Sequence, residues 1–184
     1  MFEQRATQQP LRLTESKDVG LVQIAAFSDT EAELERLVRP VLQATLPEPG
    51  GYLKRVGQLR LLRTAARQVW ILSSRKDNPH ARLQECVSPH IGAVTQLSHS
   101  RTCFCIEGPA AREVLAKGLP LDFHPEAFPV GRFALTGLHH TPVLLCHEAE
   151  NRYDLYAMRT FARWVSEWLA DAALPFVTQK PQSR

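Results

Sequence analysis

Long hydrophobic runs are missing from this chain. No apolar stretch reaches the ~20 residues that a membrane-spanning helix needs, and Met1 to Asp18 is polar, without the apolar block of a secretory signal. The expectation is a cytoplasmic protein that contacts no membrane, whose four cysteines stay as reduced thiols. Charge of one sign is also scarce. The 22 Lys and Arg are scattered among 19 Asp and Glu, for a net charge of +3. A groove that tracks a phosphate backbone needs clustered basic residues, so nucleic acid is not expected as a partner. Signature loops are missing too. There is no G-x-G-x-x-G or G-x-x-x-x-G-K-[ST], which removes those routes to a nucleotide, and no H-E-x-x-H or C-x-x-C to pre-assemble zinc. Without a G-x-S-x-G elbow, a hydrolase has little support.

What is present is an ordinary globular composition: 184 residues, 44% hydrophobic and 22% charged. A chain of this size buries a sizeable core and fits one domain or two small, tightly packed lobes. Residues 1–20 read as a flexible N-terminal arm. Leu21 to Phe27 reads as a buried strand. Thr30 and Glu33 form a capping-box pattern ahead of Leu34, Leu37, Val38, Val41 and Leu42, a helix that Pro40 should kink or stop near Arg39. Leu59 to Arg63 and Val69 to Leu72 read as paired strands. Asn78 and Pro79 open a helix with Leu83, Cys86, Val87 and Ile91 on one face.

Val94 to Leu97 and Thr102 to Ile106 read as strands broken at Ser98-His99-Ser100. A helix between Gly108-Pro109 and Gly118 follows, then an irregular stretch from Asp122 to Val130. Strands are expected at Arg132 to Thr136, Pro142 to Cys146 and Tyr153 to Ala157. A last helix is capped by Thr160 and carries Phe161, Trp164, Val165, Trp168, Leu169 and Ala172 as an apolar stripe. This order predicts an α+β fold of two related lobes, mostly antiparallel sheet with packed helices. The main domain spans 21–174, with lobes at about 21–97 and 98–174 and a C-terminal tail at 175–184.

Few residues invite a chemical role. His139 and His140 adjoin in a turn, where neighbours rarely aim at one ion, and no metal site is expected. Cys103 and Cys105 would share a strand face at ~7 Å, too far apart for an unstrained disulfide. With Cys86 and Cys146 they read as core-filling thiols. His124-Pro125 reads as a turn brace. The most polar cluster is Ser98, His99 and Arg101. Ser98 and Ser100 can bond nearby backbone, while His99 and Arg101 either bind an anion or brace the lobe junction. Phe161, Trp164 and Trp168 read as core, or as partner surface where exposed.

From Thr95 to Leu169 the pattern becomes specific. L-S-H-x-R-T (Leu97 to Thr102), G-P-x-A-x-x-V-L-A-K-G (Gly108 to Gly118) and P-L-D-x-H-P-x-x-F (Pro120 to Phe128), with Y-D-L-Y from Tyr153 and R-x-F-A-x-x-V-x-E-W-L from Arg159, resemble the sarcosine oxidase γ-subunit family. The resemblance implies a fold similar to the folate-binding domain of glycine-cleavage aminomethyltransferases. It also implies α, β and δ partner subunits that bear FAD, FMN, NAD and tetrahydrofolate, with zinc in δ, and that oxidatively demethylate sarcosine. No catalytic, cofactor-binding or metal-binding residue is expected in this chain. Aminomethyltransferases carry an acidic pair on a hairpin whose counterpart here, Leu138 to Leu144, has no carboxylate. Two alternatives stand beside this. One is a stand-alone folate-binding protein, although the K-G-C-x-x-G-Q loop of an iron–sulfur-repair branch is absent. The other is a γ-like subunit of a related N-methyl amino acid oxidase.

Overall fold

The computed structural model describes residues 11–177. The sequence alternates apolar and polar positions in short runs, and those runs become ten strands in two antiparallel sheets. In chain order the first strands are β1 (Arg12–Ser16) and β2 (Gly20–Ala26), then α1 (Glu31–Leu42). After α1 come β3 (Lys54–Val56), β4 (Leu59–Ala65), β5 (Gln68–Ser73), α2 (His80–Cys86) and β6 (Gly92–Gln96). The second half has β7 (Arg101–Glu107), α3 (Ala111–Ala116), β8 (Phe133–Leu138), β9 (Thr141–Ala149) and β10 (Arg152–Met158). A 3₁₀ turn at Arg159–Phe161 then leads into α4 (Ala162–Val177).

One sheet has the order β3-β4-β5-β2-β6 and the other β8-β9-β10-β7-β1. The two halves therefore repeat one plan, in which β2, α1, β3, β4, β5, α2 and β6 correspond to β7, α3, β8, β9, β10, α4 and β1. The last strand of the second lobe comes from the N-terminus. This corrects the reading of residues 1–20 as an arm: Arg12 to Ser16 pair with Glu107 to Cys103 along β7. Residues 1–10 lie outside the described residues, as do 178–184 of the expected tail, and α4 runs past the boundary at 174 to Val177.

The sheets stack face to face, and helices cover their outer faces. Because side chains alternate along a strand, each central strand divides its residues between two cores. On β5, Val69 and Ile71 face α1 and α2, packing with Leu34, Val38, Leu42 and Leu83. Trp70 and Leu72 face the other sheet. On β9, Val143 and Leu145 join the cluster beneath α3 and α4 with Val114, Leu115, Val165 and Leu169, while Leu144 and Cys146 face the seam. Each buried Leu, Ile or Val contributes ~1.5–3 kcal/mol of transfer free energy.

Several local expectations give way to this packing. Pro40 does not end α1, which runs to Leu42 and closes on Gln43 at φ 54°. Pro40 is exposed and stands within the last turn, so the bond it forfeits belongs to the carbonyl of exposed Arg36. The capping box does not form either. Thr30 has φ −113° and ψ 8° with no side-chain cap, and its hydroxyl instead donates to the Ile91 carbonyl at 2.6 Å, tying α1 to β6. Thr160 lies inside the 3₁₀ turn rather than capping α4. Asn78 does serve its helix: the His80 N–H donates to its Oδ1 at 2.9 Å. The aromatic stripe divides as well, with Trp168 half-buried and Phe161 and Trp164 exposed. Gly118 is required by close approach, since a Cβ there would collide with the Trp168 ring and Leu138.

Candidate functional site

The seam between the sheets is the polar centre of the molecule. β4 has Leu61 and Leu62 buried on opposite faces, which places Arg60 on the seam side. Across the seam, Tyr153, Leu155 and Ala157 of β10 point to the helices, so Asp154 and Tyr156 point inward. Arg60 is gripped on all sides. Its Nη1 lies 2.7 Å from Glu148 Oε1 and 3.0 Å from Asp154 Oδ2, and its Nη2 donates to the Tyr156 hydroxyl at 2.8 Å. Arg55 adds a 2.8 Å contact to the other Glu148 oxygen. Burial works against the Arg60 charge, but Tyr156, Glu148 and Asp154 outweigh it and hold its pKa above the ordinary guanidinium value.

Burial also pushes the neighbouring acids up. The Tyr156 phenol and the Cys103 and Cys146 thiols lie well above their ordinary values, chiefly because the low-dielectric seam disfavours an anion. Such thiols are poor nucleophiles. Cys103 and Cys105 share the seam side of β7 as free thiols, with Cys105 raised by burial and then by Asp154. Cys86, on α2, is likewise raised by burial. The carboxylates here are neutralised by arginines. Their arrangement can hold two sheets together, with Asp154 Oδ1 buried and without a hydrogen-bond partner, 3.8 Å from Arg152 Nε.

The Ser98 cluster sits where the chain passes from one sheet to the other. Ser98 is 3% exposed. Its Oγ accepts from the Leu21 N–H at 2.9 Å and from Asn78 Nδ2 at 3.0 Å, and it lies within 3.2 Å of Gln96 Oε1, to which it can donate. A hydroxyl has one proton and two lone pairs, so this one is saturated. Ser100 closes the turn by donating to the Leu97 carbonyl at 2.7 Å, and its own carbonyl accepts from the Arg159 N–H at 2.9 Å. Ser98 and Ser100 are thus junction braces. His99 points into solvent and Arg101 does not join it. The Arg101 guanidinium instead lies 5.6 Å from the centroid of Trp70 on the facing sheet.

Two clefts flank the network. One, of about 400 Å³, is lined by Arg55, Arg60, Glu148 and Arg152. The other, of about 390 Å³, is lined by Trp70, Arg101, Leu135, Pro142, Leu144 and Tyr156. The hairpin of β8 and β9 borders the second cleft, and its turn is His139-His140 with His139 at φ 49°. His139 packs edge-on against Trp164 and Trp168. No carboxylate projects from Leu138 to Leu144. His124 braces its own turn, its Nδ1 accepting from the Glu126 N–H at 3.4 Å. Among the described residues no group of three or more His, Cys, Asp or Glu is placed to hold a metal ion, and no helix is long and apolar enough to cross a membrane.

Sequence reasoning missed the Arg60–Glu148–Asp154–Tyr156 network. The signal was present, because Asp154 stands inside the apolar run Tyr153 to Ala157 and Arg60 between Leu59 and Leu61. Period two alone does not say which face of a strand is water and which is a second sheet.

Two stacked five-stranded sheets with outer helices define a fold class shared with the glycine cleavage system aminomethyltransferase T of Bartonella henselae. That structure aligns with 89% of this chain and 46% of its own at a TM-score of 0.64 and 15% identity, a likeness of fold only. The heterotetrameric sarcosine oxidase from Corynebacterium sp. U-96 in complex with pyrrole 2-carboxylate contains a more similar chain. The match covers 95% of this chain and 89% of that one, with a TM-score of 0.85 and 25% identity.

The model of the sarcosine oxidase, gamma subunit family matches residues 62–174, and the chain belongs to that family. Among curated proteins, the sarcosine oxidase subunit gamma of Corynebacterium sp. (strain U-96) is 36% identical over 107 residues, 57% of this chain and 52% of the relative. That of Arthrobacter sp is 38% identical over 87 residues, 47% of this chain and 43% of the relative. The chain spans about half the length of the curated relatives it matches.

Proposed function

We propose that this chain is the non-catalytic γ subunit of a heterotetrameric sarcosine oxidase. The observation that carries the reading is the match to a chain of such an oxidase across 95% of this one, together with family membership. The chemistry of the seam supports it. Its acids are locked to arginines, its thiols are held protonated, and its hairpin has no carboxylate to act on an amine. In this reading the α, β and δ subunits carry the FAD, FMN, NAD and tetrahydrofolate, with zinc in δ. The assembly takes sarcosine to glycine with hydrogen peroxide, releasing the one-carbon unit as 5,10-methylenetetrahydrofolate or formaldehyde. This chain contributes rigid surface in the cytoplasm and no cofactor of its own.

Native mass spectrometry after co-expression with the three other subunits tests this. The expected species contains one copy of this chain with each partner. A chain that stays alone beside its partners contradicts the reading. So does micromolar binding of tetrahydrofolate to the isolated chain in calorimetry, which instead supports a stand-alone folate-binding protein.

A further inference from the structure

Arg101 is the odd cation of the seam. Arg60 has two carboxylates and a phenol, Arg152 approaches Asp154 at 3.8 Å, and Arg55 reaches Glu148. Arg101 has Trp70 beneath it and, among the described residues, neither a carboxylate nor a hydrogen-bond acceptor for its side chain. It is half-buried, and the loss of water lowers its pKa below the ordinary guanidinium value. A guanidinium held over an indole face still has five N–H donors to offer an acceptor.

The surroundings are apolar and open. On β8 Leu135 is 50% exposed, and Met158, the register partner of Arg101 on β10, is 37% exposed. Partners directly opposite on antiparallel strands share a face, so Met158 stands beside Arg101, and Pro142 is exposed across the same cleft. Large exposed apolar groups around a stacked Arg–Trp pair have the composition of an interface centre. A small ligand is poorly served here. Besides Arg101, the polar side chains lining the cleft are Thr136, Trp70, whose Nε1–H donates to Gln23 at 3.0 Å, and Tyr156, whose hydroxyl accepts from Arg60. One ion pair in an open cleft holds a small anion weakly, but anchors well inside a larger buried contact.

We propose that this cleft is a docking point for a partner subunit. It receives a carboxylate side chain on the Arg101 guanidinium and an apolar flank on Leu135, Pro142 and Met158. The proposal rests on the subunit reading above and adds the surface and the chemistry of the contact.

The test is co-expression of the full chain, as parent, Arg101→Glu, Arg101→Gln or Leu135→Asp, with the other subunits, followed by dissociation measurements across a salt series. Parent assembly should weaken with salt. Arg101→Glu should raise the apparent dissociation constant by about tenfold or more. Arg101→Gln should raise it less and flatten the salt dependence, which a merely structural role would not do. Thermal unfolding of each isolated variant should match the parent, and Arg101→Gln serves where the glutamate variant fails to fold. Parent-level assembly of Arg101→Glu and Leu135→Asp overturns the docking point while leaving the subunit reading intact. Failure of the parent to assemble overturns both. Saturable micromolar quenching of tryptophan fluorescence by glutarate in the isolated chain, or a self-dimer that Arg101→Glu abolishes, also overturns it, making the cleft a small-molecule site or a contact between copies.

Discussion

The two lobes repeat one strand order, yet they are finished differently. The first is closed by the strand that follows its second helix, β6, while the second, among the described residues, is closed by β1 from ahead of β2. Their outer cores beneath the helices are both apolar, aliphatic in the first lobe and joined by Phe104, Phe123, Phe128 and Tyr153 in the second. The seam where they meet is different. It mixes Trp70, Phe133 and Leu144 with an arginine held by two carboxylates. Helix-covered faces need only volume and apolarity, so they tolerate many sequences. The seam needs particular partners, and that specificity makes two small lobes one body.

The seam should therefore be the costliest place to cut. Replacing Arg60 with Ala takes from buried Asp154 its 3.0 Å partner, leaves Glu148 with Arg55 alone and should cost about 3–5 kcal/mol in urea denaturation. A loss no larger than that of an exposed arginine would remove the seam from its central role. The borrowed strand comes next. Deleting residues 1–16 takes away the whole of β1 and leaves β7 as a bare edge. The expected loss is about 2–4 kcal/mol, from several ladder bonds at ~0.5–1.5 kcal/mol each, with aggregation through the new edge. Unchanged stability and solubility would mean that β1 is an ornament on a complete lobe.

A third change probes the passage between lobes. Ser98→Ala leaves the Leu21 N–H without an acceptor and Asn78 Nδ2 with Gln96 Oε1 alone and should cost about 1–3 kcal/mol, whereas His99→Ala, on the same loop, should be near neutral. The smallest effect is pH-dependent. The Tyr156 phenol is raised in the folded state, so its contribution is whole below the ordinary tyrosine value of 10.0 and is lost as pH rises toward the folded value. Tyr156→Phe loses the bond from Arg60 at neutral pH. The stability gap between parent and variant should therefore narrow above pH 10.0, and a gap that widens there would contradict the sign.

The same contrast explains what could be seen in the sequence. The helix-covered faces were legible, because Leu83 with Val87, and Val165 with Leu169, recur at helical spacing. The paired strands around Leu59 and Val69 were legible by alternation. The seam was not, because a strand buried on both sides puts residues such as Arg60 and Asp154 where alternation alone predicts water. β1 was hidden for a related reason. Arg12 to Ser16 are largely exposed on an edge strand, so their composition resembles a loose terminus. Ser98 was singled out by its neighbours and proved a brace, while Arg101 left its cluster because Trp70, distant in sequence, sits opposite it.

The most direct measurement is sarcosine-dependent hydrogen peroxide formation, compared between the isolated chain and the complex purified with its partners. No peroxide should come from the chain alone, and steady turnover should come from the complex, unchanged in kcat when the seam thiols Cys103 and Cys146 are replaced by serine in an assembled sample. Peroxide formed by the isolated polypeptide, or turnover abolished by those replacements in an intact assembly, would show that the chemistry resides in this chain after all.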